Sequence, residues 1–159
     1  PSTESQLKNN EASIQSRQMS YENSSQSSSR LIDQEKFKRE VHDLMQACPF
    51  TKISDERLLT ASHIKPYIVC ENENNLTEAA DPLNGLTLTP TWDRLFDRGY
   101  ITFKNNGELI CGTQISSYTW SKLNYNPKAK NKINLFGDRN KYLEYHRKNV
   151  FIDSIEELV

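Results

Sequence analysis

Phe37, Val41, Leu44 and Met45 stand at i, i+4, i+7 and i+8, one apolar stripe of a helix over residues 33–47. Asp33 is placed to cap that helix, and Pro49 prevents its continuation beyond Cys48. A polar turn through Asp55 follows, and then the run 58–64 has the length and residue types of a short strand, ended by Pro66. Residues 71–82, rich in Asn with Asp81 and Pro82, read as a polar loop. A second strand is expected over 83–88, and Pro90 opens a helix over 91–97 that Gly99 closes. Residues 100–103 and 108–111, joined by Lys-Asn-Asn-Gly, predict a β-hairpin. A basic, Asn-rich stretch (122–134) precedes a last helix over 141–150 and a short acidic end. No internal repeat is visible. Phe37, Trp92, Phe96, Phe103, Trp120, Phe136 and Phe151 are the expected aromatic core.

Composition adds a boundary. The 35% hydrophobic fraction of the 159 residues is low for a compact domain, and the deficit is local. Residues 1–30 hold five apolar side chains against ten serines, too few to offset the entropy of ordering. They read as a disordered leader or linker before one folded domain, 31–159. The chain opens on Pro1, which suggests a piece of a longer protein with a recognition or sensor domain upstream. No apolar run approaches the roughly 18 residues of a membrane span, and no signal-peptide pattern is present. Cys48, Cys70 and Cys111, odd in number and widely spaced, argue for buried free thiols and a reducing cytoplasm.

The net charge of −1 conceals an uneven distribution. Residues 1–92 carry 9 basic and 13 acidic side chains, whereas residues 93–148 carry 11 and 5. A basic segment of this kind fits a face that meets phosphate, although a solvated surface gives the same count.

Three pieces of sequence fall in one register: Ser62-His63-Ile64-Lys65-Pro66, then Asp81 through Leu88 containing Asn84-Gly85, then Trp92-Asp93-Arg94-Leu95-Phe96-Asp97-Arg98-Gly99. Together with the hairpin behind them and Tyr142 through Phe151, they resemble the HNH (ββα-metal) endonuclease family. The resemblance is to the branch found in bacterial restriction and phage-defence enzymes, and it covers roughly residues 48–151. It implies an α+β fold, a ββα-metal core with a β-hairpin and flanking helices. It also implies DNA cleavage by a divalent cation and a general base, leaving 5′-phosphate and 3′-hydroxyl ends.

Carried over residue by residue, the resemblance makes His63 the general base, since an imidazole with a pKa near 6.5 suits proton abstraction at neutral pH. Asp93 and Asp97, four apart on a helix, project from one face and would share a cation. Hard oxygen ligands favour Mg²⁺ or Mn²⁺. Asn84, nine residues before Asp93, completes the catalytic set by bonding backbone across the loop and holding the His63 strand. Ser62 occupies a place where relatives often carry a stronger ligand, which leaves contact through water as its route. Taken singly, each residue has a plainer role: a hydrogen-bonded strand-end histidine, an Asp97 paired with Arg94 or Arg98, a turn asparagine before Gly85.

Many relatives hold a structural zinc with paired Cys-x-x-Cys motifs. Thr51 stands where Cys48 would need its partner, so no structural zinc is expected. Lys65, Arg94, Arg98 and Arg147 are the expected contacts to nucleic acid, phosphate contacts that position without specifying. His146 is expected on a helix surface. One such site cuts one strand, so a homodimer is expected for double-strand breaks. Two other readings compete: a nuclease-like fold kept only for DNA binding, and an RNA-cleaving toxin.

Overall fold

A computed structural model describes residues 32–158, so the leader expected over 1–30 lies outside the described residues. The chain divides into two units between Gln34 and Glu35, and the architecture here is that of the second. Helix α1 (Gln34–Leu44) buries Phe37 and Val41, the stripe that its periodicity predicts. Strand β1 (Thr60–His63) is followed by two short helices, α2 (Tyr67–Asn72) and α3 (Leu76–Ala80). Strand β2 (Gly85–Leu88) then pairs antiparallel with β1, placing Ser62 opposite Leu86 and His63 opposite Gly85. Helix α4 (Pro90–Asp97) follows directly, so the order β1–β2–α4 gives the α+β, ββα arrangement that the sequence implies. Strands β3 (Ile101–Phe103) and β4 (Leu109–Cys111) form the expected hairpin. Helices α5 (Ser117–Lys122), α6 (Asn140–Asn149) and α7 (Ile155–Leu158) complete the described chain.

Both strands of the first sheet begin later than their apolar runs, for one shared reason. Asp55 accepts from the Arg57 backbone N–H at 3.1 Å and winds Glu56–Leu58 into a 3₁₀ turn. Asp81 does the same for Leu83 at 3.0 Å, winding Pro82–Asn84. Such local side-chain bonds offer the backbone an alternative to the ladder. The polar loop expected over 71–82 is instead largely helical. Its asparagines act as punctuation: Asn74 takes φ 55° between α2 and α3, and the Asn75 side chain caps α3 by accepting from Glu78 N–H at 3.1 Å.

The β1–β2 sheet lies between α1 and α4. On one face Thr87 Oγ1 donates to the Met45 carbonyl at 2.5 Å, and α1 crosses Gly85 closely. A Cβ at Gly85 would stand 2.5 Å from Val41 Cγ2 and 2.9 Å from Phe37 Cζ, so only glycine permits this approach. On the other face Leu86 and Leu88 join the main core with Phe96, Ile101, Phe103 and Leu143. Phe50 stacks on Trp92 at 3.8 Å to close one side.

Of the expected core aromatics, all but one are buried. Phe136 is 49% exposed, because the turn around it sends Leu135 inward and leaves Phe136, at φ 52°, on the surface. His146 corrects the other way: it is 1% exposed, wedged where α6 meets β3 and the end of α4. Its Nε2–H donates to the Phe96 carbonyl at 2.9 Å, Nδ1 accepts from Thr102 Oγ1 at 2.8 Å, and the ring stacks on Phe96 at 3.9 Å. Cys48 and Cys70 are buried, Cys111 half-buried, and all three are free thiols. No helix among the described residues is long and apolar enough to cross a membrane.

Candidate active site

Strand geometry fixes where the first motif points. Successive side chains alternate between faces of a sheet, so Ser62 and His63 go opposite ways. Ser62 turns toward α4, where its hydroxyl donates to Asp93 Oδ1. His63, the last residue of β1, turns toward α1 and lies parallel to the Phe37 ring, with centroids 4.2 Å apart. The Tyr67 ring meets it edge-on at 5.7 Å. His63 Nε2 is 2.8 Å from the Ala79 carbonyl in α3. A carbonyl only accepts, so Nε2 holds the proton and Nδ1 keeps a free lone pair. Burial lowers the His63 pKa below the ordinary imidazole value, with the Ala79 carbonyl opposing in part. The ring is therefore neutral at neutral pH, with Nδ1 able to accept a proton.

Asp93 and Asp97 occupy successive turns of α4, the first half-buried and the second exposed. Burial raises the Asp93 pKa, the Asp97 charge raises it further, and Arg94 offsets part of this. Among the described residues, neither carboxylate has a Lys or Arg nitrogen within 4.0 Å, so Asp97 is not paired with Arg94 or Arg98. Two like charges held together without a counter-cation fit a divalent ion. The donors are all hard oxygens: two carboxylates and the Ser62 hydroxyl. No group of three or more His, Cys, Asp or Glu side chains gathers to hold a metal among the described residues. A cation here would thus keep much of its water, as Mg²⁺ does. His63 shares no hydrogen bond with these oxygens and lies on the other face of the sheet, at its open end.

The middle motif is a clamp. Asn84 is fully buried, and its Oδ1 accepts from Lys65 N–H at 2.8 Å. Its Nδ2 donates to the Lys65 carbonyl at 3.2 Å and the Glu78 carbonyl at 3.1 Å. The side chain thereby ties the end of β1 to α3, which presents Ala79 to His63. Both amide hydrogens are engaged and the side chain is fully buried, so Asn84 acts as a positioning residue.

Lys65 joins the same clamp. Its Nζ lies 2.6 Å from Glu73 Oε2 and 2.7 Å from Glu78 Oε1, and its residue is 9% exposed. Burial disfavours its charge, but the hydrogen bonds it donates to Glu73 and Glu78 outweigh that and hold its pKa above the ordinary range. Its charge is spent internally, which differs from the phosphate contact expected of it. Arg147 is partly committed too, donating Nη1–H to the Phe103 carbonyl at 2.8 Å. Arg94 and Arg98 are exposed beside the carboxylates and carry no ion pair among the described residues.

Two supports had not been expected from the sequence. Arg139, 1% exposed, donates Nη1–H to the carbonyls of Leu83 at 2.8 Å and Gly85 at 2.6 Å, and Nε–H to Leu135 at 2.6 Å. It grips the turn that contains Asn84, and burial pushes its pKa down to about 10. Glu78 is the other, bridging Lys65 and, at 3.3 Å, Lys141. Asn75-x-x-Glu78 is a legible start signal for α3, whereas Arg139 in a basic tract looks like any surface cation.

No curated protein matches the chain. Residues 48–104, which span the clamp, both strands of the first sheet and the carboxylate helix, match the family model described as HNH endonuclease.

Proposed function

We propose that the chain is a metal-dependent endonuclease that hydrolyses phosphodiester bonds of DNA. The observation supporting this most is the state of His63: a neutral ring at a strand end, oriented through Nε2, with Nδ1 free to accept. In this reading Nδ1 takes the proton of a water that attacks phosphorus. The bond to the 3′ oxygen breaks and the leaving oxygen takes a proton from solvent water, giving a 3′-hydroxyl and a 5′-phosphate. Asp93 and Asp97 hold Mg²⁺ or Mn²⁺, with Ser62 fixing the Asp93 rotamer. When bound, that cation neutralises the phosphate and the departing alkoxide. Arg94, Arg98 and Arg147 hold flanking phosphates, and Asn84 and Lys65 keep the His63 strand in place. A homodimer would deliver a double-strand break, and an upstream domain would choose the target. The three free thiols suit a reducing cytoplasm, the setting of a restriction or defence enzyme.

A binding module without cleavage is the second reading, favoured by the small ligand set around Asp93. Plasmid DNA and an RNA transcript incubated in parallel with Mg²⁺, Mn²⁺ or EDTA separate the readings. The proposal expects nicked plasmid with 5′-phosphate ends in either metal and none in EDTA. Cutting confined to RNA would favour the toxin reading instead, and retained DNA binding with no cutting under any metal would favour the module.

A further inference from the structure

A cleft of about 840 Å³ opens between the stretch from Asp43 to Lys52 and the segment from Asn131 to Phe136. Its walls include none of Ser62, His63, Asp93 or Asp97, so it is separate from the candidate active site. The volume is in the range of sites that enclose a nucleotide-sized ligand. Three features of its walls agree on chemistry.

The first is an aromatic face held open. Phe136, 49% exposed, keeps a left-handed backbone at φ 52° while its N–H donates to Asn134 Oδ1 at 3.0 Å. A left-handed phenylalanine costs about 1–2 kcal/mol, and burying the ring would be the usual return for it. Here the ring faces out. Lys52, on the opposite wall, is also left-handed at φ 64°. The segment itself is anchored: Leu109 N–H donates to the Asn131 carbonyl at 3.1 Å and Ile133 N–H to the Gly107 carbonyl at 3.0 Å.

The second is charge. Lys52 and Lys132 line the cleft against one acidic residue, Asp43. Neither lysine has a carboxylate within 4.0 Å among the described residues, and the neighbouring Lys128 and Lys130 are likewise unpaired. The third is hydrogen-bonding capacity. The Asn131 side-chain Nδ2 lies 3.5 Å from the Tyr125 hydroxyl, and the side-chain amides of Asn131 and Gln46 both lie on the cleft walls.

A flat π surface, unpaired ammonium groups and amide edges together fit a base with its phosphate. We propose that this cleft binds one unstacked nucleotide of the DNA strand, its base on Phe136 and its phosphate on Lys52 and Lys132. The inference rests on the nuclease reading and adds a second point of contact to it. A base within a duplex cannot reach such a pocket, so the site selects single-stranded or locally opened DNA.

The test uses the whole chain in EDTA, where cutting is stopped, with a fluorescein-labelled single-stranded 12-mer and the matching duplex, read by anisotropy. Phe136→Ala is expected to weaken single-strand binding roughly 10-fold and duplex binding far less. Phe136→Trp restores it, and Lys52→Ala weakens it with a shallower salt dependence. Single-strand affinity unchanged in Phe136→Ala overturns the inference, as does equal weakening on both DNAs with Tm unaltered. Plasmid nicking by wild type in Mn²⁺, run beside it, distinguishes the two claims. A chain that nicks but binds the 12-mer independently of Phe136 remains a nuclease without this pocket. A chain that cuts nothing removes the nuclease reading itself.

Discussion

The His63 ring owes its orientation to two neighbours that no local pattern names: Phe37, 26 residues before it, and the Ala79 carbonyl, 16 residues after. Its type and its strand-end position were legible in the sequence, but its tautomer was not, because that depends on a helix read as loop. Since burial depresses its pKa, the base form persists below the ordinary imidazole midpoint. The acid limb of kcat/KM for cleavage is therefore expected below pH 6.5, and a limb above pH 7 would show that another group is the base. Asp93 gives the converse prediction. Its raised pKa means that, without a cation, folding is opposed by its charge once pH exceeds the unfolded value. Asp93→Asn should raise Tm by a few degrees in EDTA at pH 7.5 while Mn²⁺ affinity by calorimetry falls at least about 10-fold. A lower Tm together with unchanged Mn²⁺ binding would mean that Asp93 is structural.

At the scale of elements, α1 followed directly from apolar spacing, because it turns one face to a core, and the hairpin from the turn that joins its two short runs. The segment between β1 and β2 did not. Its two short helices bury only Cys70 and Ala79, so they carry almost no periodic signal. They are held instead by buried polar bonds from Asn84 and Lys65, which become visible only when distant residues meet. That distinction yields a test. Lys65→Met leaves Glu78 without its closest cation and loosens the helix that presents Ala79 to His63. Cleavage should fall at least about 10-fold while plasmid affinity at fixed salt stays within about 2-fold. A comparable loss of affinity with a reduced salt slope would return Lys65 to the phosphate backbone.

For the whole molecule, α6 closes the fold on a buried, neutral histidine. The His146 pKa is held down to about 4, chiefly by burial, against 6.5 for the free side chain. Below pH 6.5 the unfolded chain takes up a proton that the folded chain refuses until about pH 4, so stability falls across that window. The full loss is about 3 kcal/mol, and urea midpoints at pH 7 and pH 4.5 should show most of it. His146→Gln should flatten that dependence, whereas an unchanged slope would assign it to other groups. The charge asymmetry legible in the sequence also resolves in space. Lys65 and Arg139 are withdrawn into the scaffold, while Arg94 and Arg98 remain exposed beside the carboxylates, and Lys52 and Lys132, without an ion pair among the described residues, line the cleft between residues 43–52 and 131–136. The central claim, that His63 activates water at a metal-dependent phosphodiesterase site, is tested most directly by nicking of supercoiled plasmid in Mg²⁺ and Mn²⁺. Wild type should convert it to open circles, and a folded His63→Ala protein should do so roughly 10²–10⁴-fold more slowly. Equal rates for the two proteins would contradict the account.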